Sequence, residues 1–167
     1  VSGNVAFFAQ SGGMSVDLAQ MAGWMGLYFS KMVSFGNGAD LRETQLLEYF
    51  GNDEETHVVS LYIEGVYDGD NFLQTLKRVA AHKPVIVLKG GLSEAGQRAV
   101  MSHTASLGGD RAIWEAILRQ SRAIRVHDLS ELAQTCLAFS LLPPRPYQGV
   151  TVIGGGGALG VAACDAA

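Results

Sequence analysis

One histidine of this chain, His103, stands in "MSHTASLGG" (residues 101–109), among small polar residues and glycines. The other histidines, His57, His82 and His127, are scattered, so no cluster has the fixed spacing of a metal site. The chain has no G-x-S-x-G elbow for a serine hydrolase. Two readings of His103 then stand side by side. It is a surface histidine, or it is itself a nucleophile toward a phosphoryl group. The second needs one neutral ring nitrogen facing the phosphorus and the other held by a carboxylate. Glu64 is the natural holder. It follows the apolar run "VVSLYI", where a carboxylate is partly desolvated and calls for a cationic or N–H partner. A helix-capping or surface glutamate is the plainer alternative.

Anion binding has two candidate places. "AQSGGMS" turns from a strand into a helix at Ser11, Gly12 and Gly13. Glycines let an anion approach the backbone, and the N–H groups and dipole of a helix start favour negative charge. "IGGGGALG" (153–160) repeats the device and includes Gly156 and Gly157. Its Gly155-x-Gly157-x-x-Gly160 spacing matches the dinucleotide pattern, a weak signal when it stands alone. Both glycine runs are equally readable as tight turns. Lys89 ends another apolar run and could meet phosphate or a carboxylate.

The elements that must position these groups alternate along the chain. "NVAFFAQ", "LYFSKMVSFG", "HVVSLYIEG", "PVIVLKGG" and "AIRV" read as strands. Between and after them, "MSVDLAQMAGWMG", "LRETQLLEYFGN", "DGDNFLQTLKRVAAHK", "DRAIWEAILRQSR" and "LSELAQTCLAFSLL" read as helices. Asp40 (with Glu43 at the capping-box position) and Asp128 are expected as N-caps. The stretch after "PVIVLKGG", with His103, is expected as a loop. Strands alternating with helices imply parallel pairing and right-handed crossovers, and apolar strands imply a sheet covered on both faces. The expected fold is a doubly wound, parallel, flavodoxin-like α/β sheet with helices on both faces. It is followed by a truncated βα unit. The domain spans 1–142, a proline-rich linker covers 143–148, and 149–167 opens a second flavodoxin-like domain, truncated after one helix. Ligands of such sheets collect at the carboxyl ends of the strands, where Ser11, Glu64 and Lys89 all fall.

Composition narrows the partners. Hydrophobic residues make up 48% of the 167, enough for a packed core. Lys and Arg number 12 against 16 Asp and Glu, a net charge of −4, so nucleic acid and anionic membrane are poor partners. No apolar run approaches the about 20 residues of a membrane span. Cys136 and Cys164 are isolated thiols, as expected in a reducing compartment such as the cytoplasm. The start at Val1 and the stop in "CDAA" read as a piece of a longer polypeptide.

Taken together, "VAFFAQSGG", "SFGNGADLRETQLLEYFGNDEETHVVSLYIEG", "KPVIVLKGG" and "SHTASLGG" resemble, in that order, the ligase domain of NDP-forming acyl-CoA synthetases, the succinyl-CoA synthetase superfamily. "GVTVIGGGGALGVAACDAA" resembles the start of the next flavodoxin-like ligase domain. The resemblance implies that His103 carries a phosphate and Glu64 orients it. It implies that Ser11, Gly12 and Gly13, facing Gly156 and Gly157, grip that phosphate. The implied reaction is acyl-CoA + phosphate + NDP ⇌ carboxylic acid + CoA + NTP. CoA, ATP or ADP and Mg²⁺ would be bound mainly by CoA-binding and ATP-grasp domains, in the same protein or a partner subunit, and the family allows a homo-oligomer. The sequence departs from the family at Ala105, where "SHTASLGG" stands for "SHTGSLAG", and in "IGGGGALG". A second reading is a regulatory, ligand-binding module of a multidomain protein acyltransferase, a class in which the histidine is lost. Retention of His103 and Glu64 favours the enzyme. A receiver or flavin-binding domain finds no acidic cluster or flavin motif here.

Overall fold

The computed structural model describes residues 2–104, 110–142, 145–146, 148–149, 151–154 and 156–166. Five parallel strands form one sheet: β1 (Val5–Ala9), β2 (Phe29–Ser34), β3 (Val58–Ile63), β4 (Val85–Lys89) and β5 (Ile124–Val126). The helices are α1 (Gly12–Met25), α2 (Glu43–Asn52), α3 (Gly69–Ala80), α4 (Glu94–Thr104), α5 (Arg111–Ser121), α6 (Leu129–Leu141) and α7 (Gly157–Ala166). The strand order is β2-β1-β3-β4-β5, the flavodoxin-like order expected for this doubly wound sheet. Among the described residues no helix is long and apolar enough to cross a membrane.

β1 and β4 are buried along their whole length because both faces of the sheet are covered. Successive side chains of β1 go to opposite faces, as the strand period requires. Ala6 and Phe8 join Leu46, Leu47 and Phe50 of α2, Phe72 and Leu76 of α3, and Trp114 and Leu118 of α5. Val5, Phe7 and Ala9 join Leu18 and Ala22 of α1 and Leu132, Ala133 and Cys136 of α6. Burying a side chain such as Phe72 or Leu132 contributes about 1.5–3 kcal/mol. The chain leaves β1 toward β2 on one side, and β3 lies on the other. The carboxyl ends of β1 and β3 therefore open the crevice where the strand order reverses.

Three expectations need correction. Asp40 does not cap α2. That helix starts at Glu43, and the Gln45 side chain accepts the Arg42 N–H (3.0 Å). Glu43 is drawn across to the Tyr67 N–H (2.9 Å), in the loop after β3, instead of closing a capping box. The stretch after β4 is not all loop, because residues 94–104 form α4. The described residues 151–154 form no strand before α7, since an isolated extended segment has no ladder partner for its N–H and C=O groups. Asp128 does cap α6, accepting from the Glu131 N–H (2.8 Å).

Candidate active site

At the end of β1 the Gln10 N–H donates to Tyr62 O (3.1 Å). The Gln10 side-chain oxygen accepts from the Glu64 and Gly65 N–H groups, clipping the exit of β3 to that of β1. Ser11 caps α1, its hydroxyl accepting from the Met14 N–H (3.3 Å). The N–H groups of Gly12 and Gly13, next in line, donate to nothing among the described residues, and both glycines are exposed. Neither has a positive φ, so turn geometry does not demand glycine here. A Cβ at either would make only ordinary contacts, with Ser34 Oγ (3.7 Å) or Ser11 Oγ (3.8 Å). What glycine leaves open at this helix start is the approach to two unpaired donors, the arrangement that suits an anion.

Glu64 is 92% buried, with a relative exposure of 8%. Its Oε1 accepts from the Tyr62 hydroxyl (3.0 Å), and its buried Oε2 has no partner among the described residues. Burial and the Glu64 charge push the Tyr62 hydroxyl up to about 12. An unpaired buried carboxylate oxygen costs several kcal/mol unless a donor arrives. Lys89 does not pair with that carboxylate. Its ammonium donates to the main-chain oxygens of Glu64 (2.7 Å) and Gly90, and lies 5.0 Å from the Trp114 ring centre. The desolvated ammonium is pushed down to about 8, partly offset by the Glu64 charge.

His103 lies in the last turn of α4, one turn beyond buried Val100. Val100 packs so tightly on the loop after β4 that a Cβ on Gly91 would stand 2.9 Å from its Cγ2. The side chains of residues 101–104 and the whole of 105–109 lie outside the described residues, so the pairing of His103 with Glu64 and the effect of Ala105 do too. Gly156 and Gly157 stand at the exposed start of α7, and a Cβ on either would meet nothing within 4 Å. The structure thus gathers Ser11, Gly12, Gly13, Glu64 and Lys89 at one sheet edge. Among the described residues it brings none of these groups to Gly156 or Gly157, and the Gly156 oxygen accepts the helical bond from the Gly160 N–H (3.1 Å). His57 and His82 are elsewhere, lining a cleft of about 740 Å³ with Asn4 and Pro84 at the opposite, amino edge of the strands. No group of three or more His, Cys, Asp or Glu side chains disposed around a metal occurs among the described residues.

Sequence reasoning missed Gln10 and Tyr62. A signal for Tyr62 existed, since residues two apart on a strand share a face, and Tyr62 precedes Glu64 by two.

The succinyl-CoA ligase like flavodoxin domain matches residues 2–139. The chain is 40% identical to an ADP-forming acetate–CoA ligase of Methanocaldococcus jannaschii, over 98% of this chain and 23% of that protein. It is also 40% identical to the alpha subunit of ADP-forming acetate–CoA ligase I of Pyrococcus furiosus, over 99% of this chain and 36% of that subunit. Among solved structures it resembles acetyl-coenzyme A synthetase 1 of Ca. Korarchaeum cryptofilum, in complex with phosphate and ADP. That likeness has a TM-score of 0.81 and 37% identity, and covers 86% of this chain and 31% of that one. The chain spans between about a quarter and a third of the length of these relatives. With the parallel sheet order and the matched span, the chain belongs to the family of succinyl-CoA ligase-like flavodoxin domains.

Proposed function

We propose that this chain is the phosphohistidine-carrying ligase domain of an NDP-forming acyl-CoA synthetase. The observation that carries the reading is Glu64 Oε2, a buried acceptor without a partner among the described residues, at the sheet edge where α1 offers two N–H groups that those residues leave unpaired. A carboxylate oxygen in want of an N–H and a helix start in want of an anion are the two halves of a phosphorylated-histidine site.

In this reading phosphate displaces CoA from the acyl-CoA, giving an acyl phosphate. A ring nitrogen of His103 then attacks its phosphorus. An N–P bond forms, the P–O bond to the acyl group breaks, and the acid leaves as its carboxylate. The ring becomes cationic and keeps its proton on the other nitrogen, whose N–H donates a hydrogen bond to Glu64 Oε2. Ser11, Gly12 and Gly13 hold the phosphoryl oxygens. Residues 149–167 open the second ligase unit, whose Gly156 and Gly157 close on the phosphate from the other side. Each helix start contributes about 0.3–2 kcal/mol toward holding the anion, so a facing pair suffices without a lysine cluster. The phosphoryl group then passes to NDP on an ATP-grasp domain, which also holds Mg²⁺, while CoA sits on a separate CoA-binding domain.

The test uses the full-length protein. Acyl-CoA with radiolabelled phosphate, or NTP with Mg²⁺, is expected to give acid-labile, base-stable labelling that disappears in His103→Ala. Labelling that persists in that variant overturns the proposal. Acyl-CoA binding without any labelling would identify a regulatory module instead.

A further inference from the structure

We infer that Tyr62 is a positioning residue for the phosphorylation of His103: its hydroxyl engages one oxygen of Glu64 and leaves the other for the histidine ring. The inference deepens the functional reading above and rests on it.

Of the described groups around Glu64, Tyr62 alone bonds the carboxylate (3.0 Å to Oε1). Gln10 grips the Glu64 N–H, and Lys89 grips the Glu64 main-chain oxygen. The backbone is thereby anchored at both polar atoms, and the hydroxyl decides which way the carboxyl group is turned. With Oε1 engaged, Oε2 is left buried without a partner among the described residues. Without the hydroxyl, the two oxygens are equivalent candidates for the ring N–H, and the carboxyl can rotate away from the attacking geometry.

Gly90 supports this assignment. It does not have a positive φ, so its backbone could accept any residue. A Cβ there would stand 2.6 Å from the Tyr62 hydroxyl oxygen and 3.1 Å from Cζ. Gly90 cannot easily retreat, because its N–H donates to Ile63 O (2.9 Å) and its oxygen accepts from the Lys89 ammonium. Glycine at this position is explained by the room the hydroxyl occupies.

The experiment measures single-turnover phosphorylation of His103 in the full-length protein, using acyl-CoA and inorganic phosphate. The wild type is compared with Tyr62→Phe, Gly90→Ala and the double variant. In Tyr62→Phe the rate constant is expected to fall roughly 10-fold, the order for one lost hydrogen bond to a charged group, with the half-saturating phosphate concentration unchanged. Gly90→Ala displaces the hydroxyl and is expected to lose about as much. The double variant should be no slower than Tyr62→Phe, because the 2.6 Å contact is gone with the hydroxyl and the ring carbons, 3.1 Å and more away, need give only a few tenths of an ångström. A Tyr62→Phe protein at full rate overturns the inference. So does a loss confined to phosphate half-saturation, or single effects that multiply in the double variant. Tyr62→Phe leaves Gly90 and the ring packing intact, so it decides the matter even if Gly90→Ala fails to fold. Labelling that depends on His103 yet ignores Tyr62 defeats this inference alone and leaves the functional reading standing.

Discussion

Replacing Lys89 with methionine should change the pH dependence of stability in a defined window. Lys89 is buried, with 5% exposure, and its ammonium is held by two main-chain oxygens beside Trp114. Burial lowers it from 10.5 to about 8. Below pH 8 the group is charged in both folded and unfolded chains, and the folded state bears the full cost of desolvating it. Between pH 8 and 10.5 the unfolded chain binds the proton and the folded chain does not, so stability rises with pH. The shift corresponds to roughly 3 kcal/mol across the window, at no more than about 1.4 kcal/mol per pH unit. Lys89→Met removes this term and leaves the buried Glu64 carbonyl, at about 1–3 kcal/mol, and the half-buried Gly90 carbonyl without its ammonium donor. Near pH 7 the relieved charge offsets much of that loss, whereas at pH 10.5 nothing does. Urea unfolding of the 167-residue chain from pH 7 to 10.5 measures this. Burial raises the Cys136 thiol from 9.0 to about 12, which acts in the opposite sense above pH 9, but it is common to both chains and cancels in the difference. The stability difference, wild type minus variant, should grow by roughly 3 kcal/mol across the window. A flat difference would refute the reasoning. A difference that shrinks would mean that attraction to Glu64 outweighs burial.

Gly51 lies inside α2 without a positive φ, and a Cβ there would stand 2.5 Å from Val79 Cγ2. Gly51→Ala should therefore lower the urea-derived stability by about 1 kcal/mol, since overpacking of about 1–3 kcal/mol outweighs a helix-propensity gain of about 1. In a Val79→Ala background the same change should become stabilising, and the absence of that reversal would count against the packing argument. Asp53 accepts from Lys31 (2.8 Å) and Thr56 (2.6 Å), and these bonds, Lys31 first, hold its carboxyl below the usual 3.8. Its stabilisation is present above pH 3.8 and is lost as pH falls through the lowered value, so acid unfolding of Lys31→Gln should begin at higher pH than that of the wild type. Superimposable acid-unfolding curves would show that the ion pair contributes nothing.

The alternation of strands and helices was legible because each element declares itself locally. "VAFFA" and "VIVLK" are short apolar runs bounded by polar and glycine residues, and Phe72, Leu76 and Val79 recur at helical spacing. Asp128 was legible as a cap because its partner, the Glu131 N–H, is three residues away. Asp40 misled because Glu43 found a partner 24 residues away in Tyr67. The last turn of α4 was read as loop because "MSHT" has little apolar periodicity, and Val100 anchors the helix against Gly91 of the preceding loop. The strand expected before α7 failed because a strand takes its hydrogen bonds from a neighbour, which a local pattern cannot supply.

By itself the sequence determined the class of fold, the residues at the strand exits and the family resemblance from which a phosphate-carrying role for His103 is proposed. All of these depend on residue type and near neighbours along the chain. Only the tertiary structure decided the order β2-β1-β3-β4-β5, which puts the exits of β1 and β3 side by side. It alone decided that Lys89 donates to main-chain oxygens, with no bond to the Glu64 carboxylate among the described residues. It also decided that Tyr62 engages one oxygen of Glu64 and that the other, buried, has no partner among the described residues. The physical reason is the same in each case. Hydrogen-bond saturation and desolvation depend on which distant groups arrive at a given atom, and that is settled only when the sheet closes.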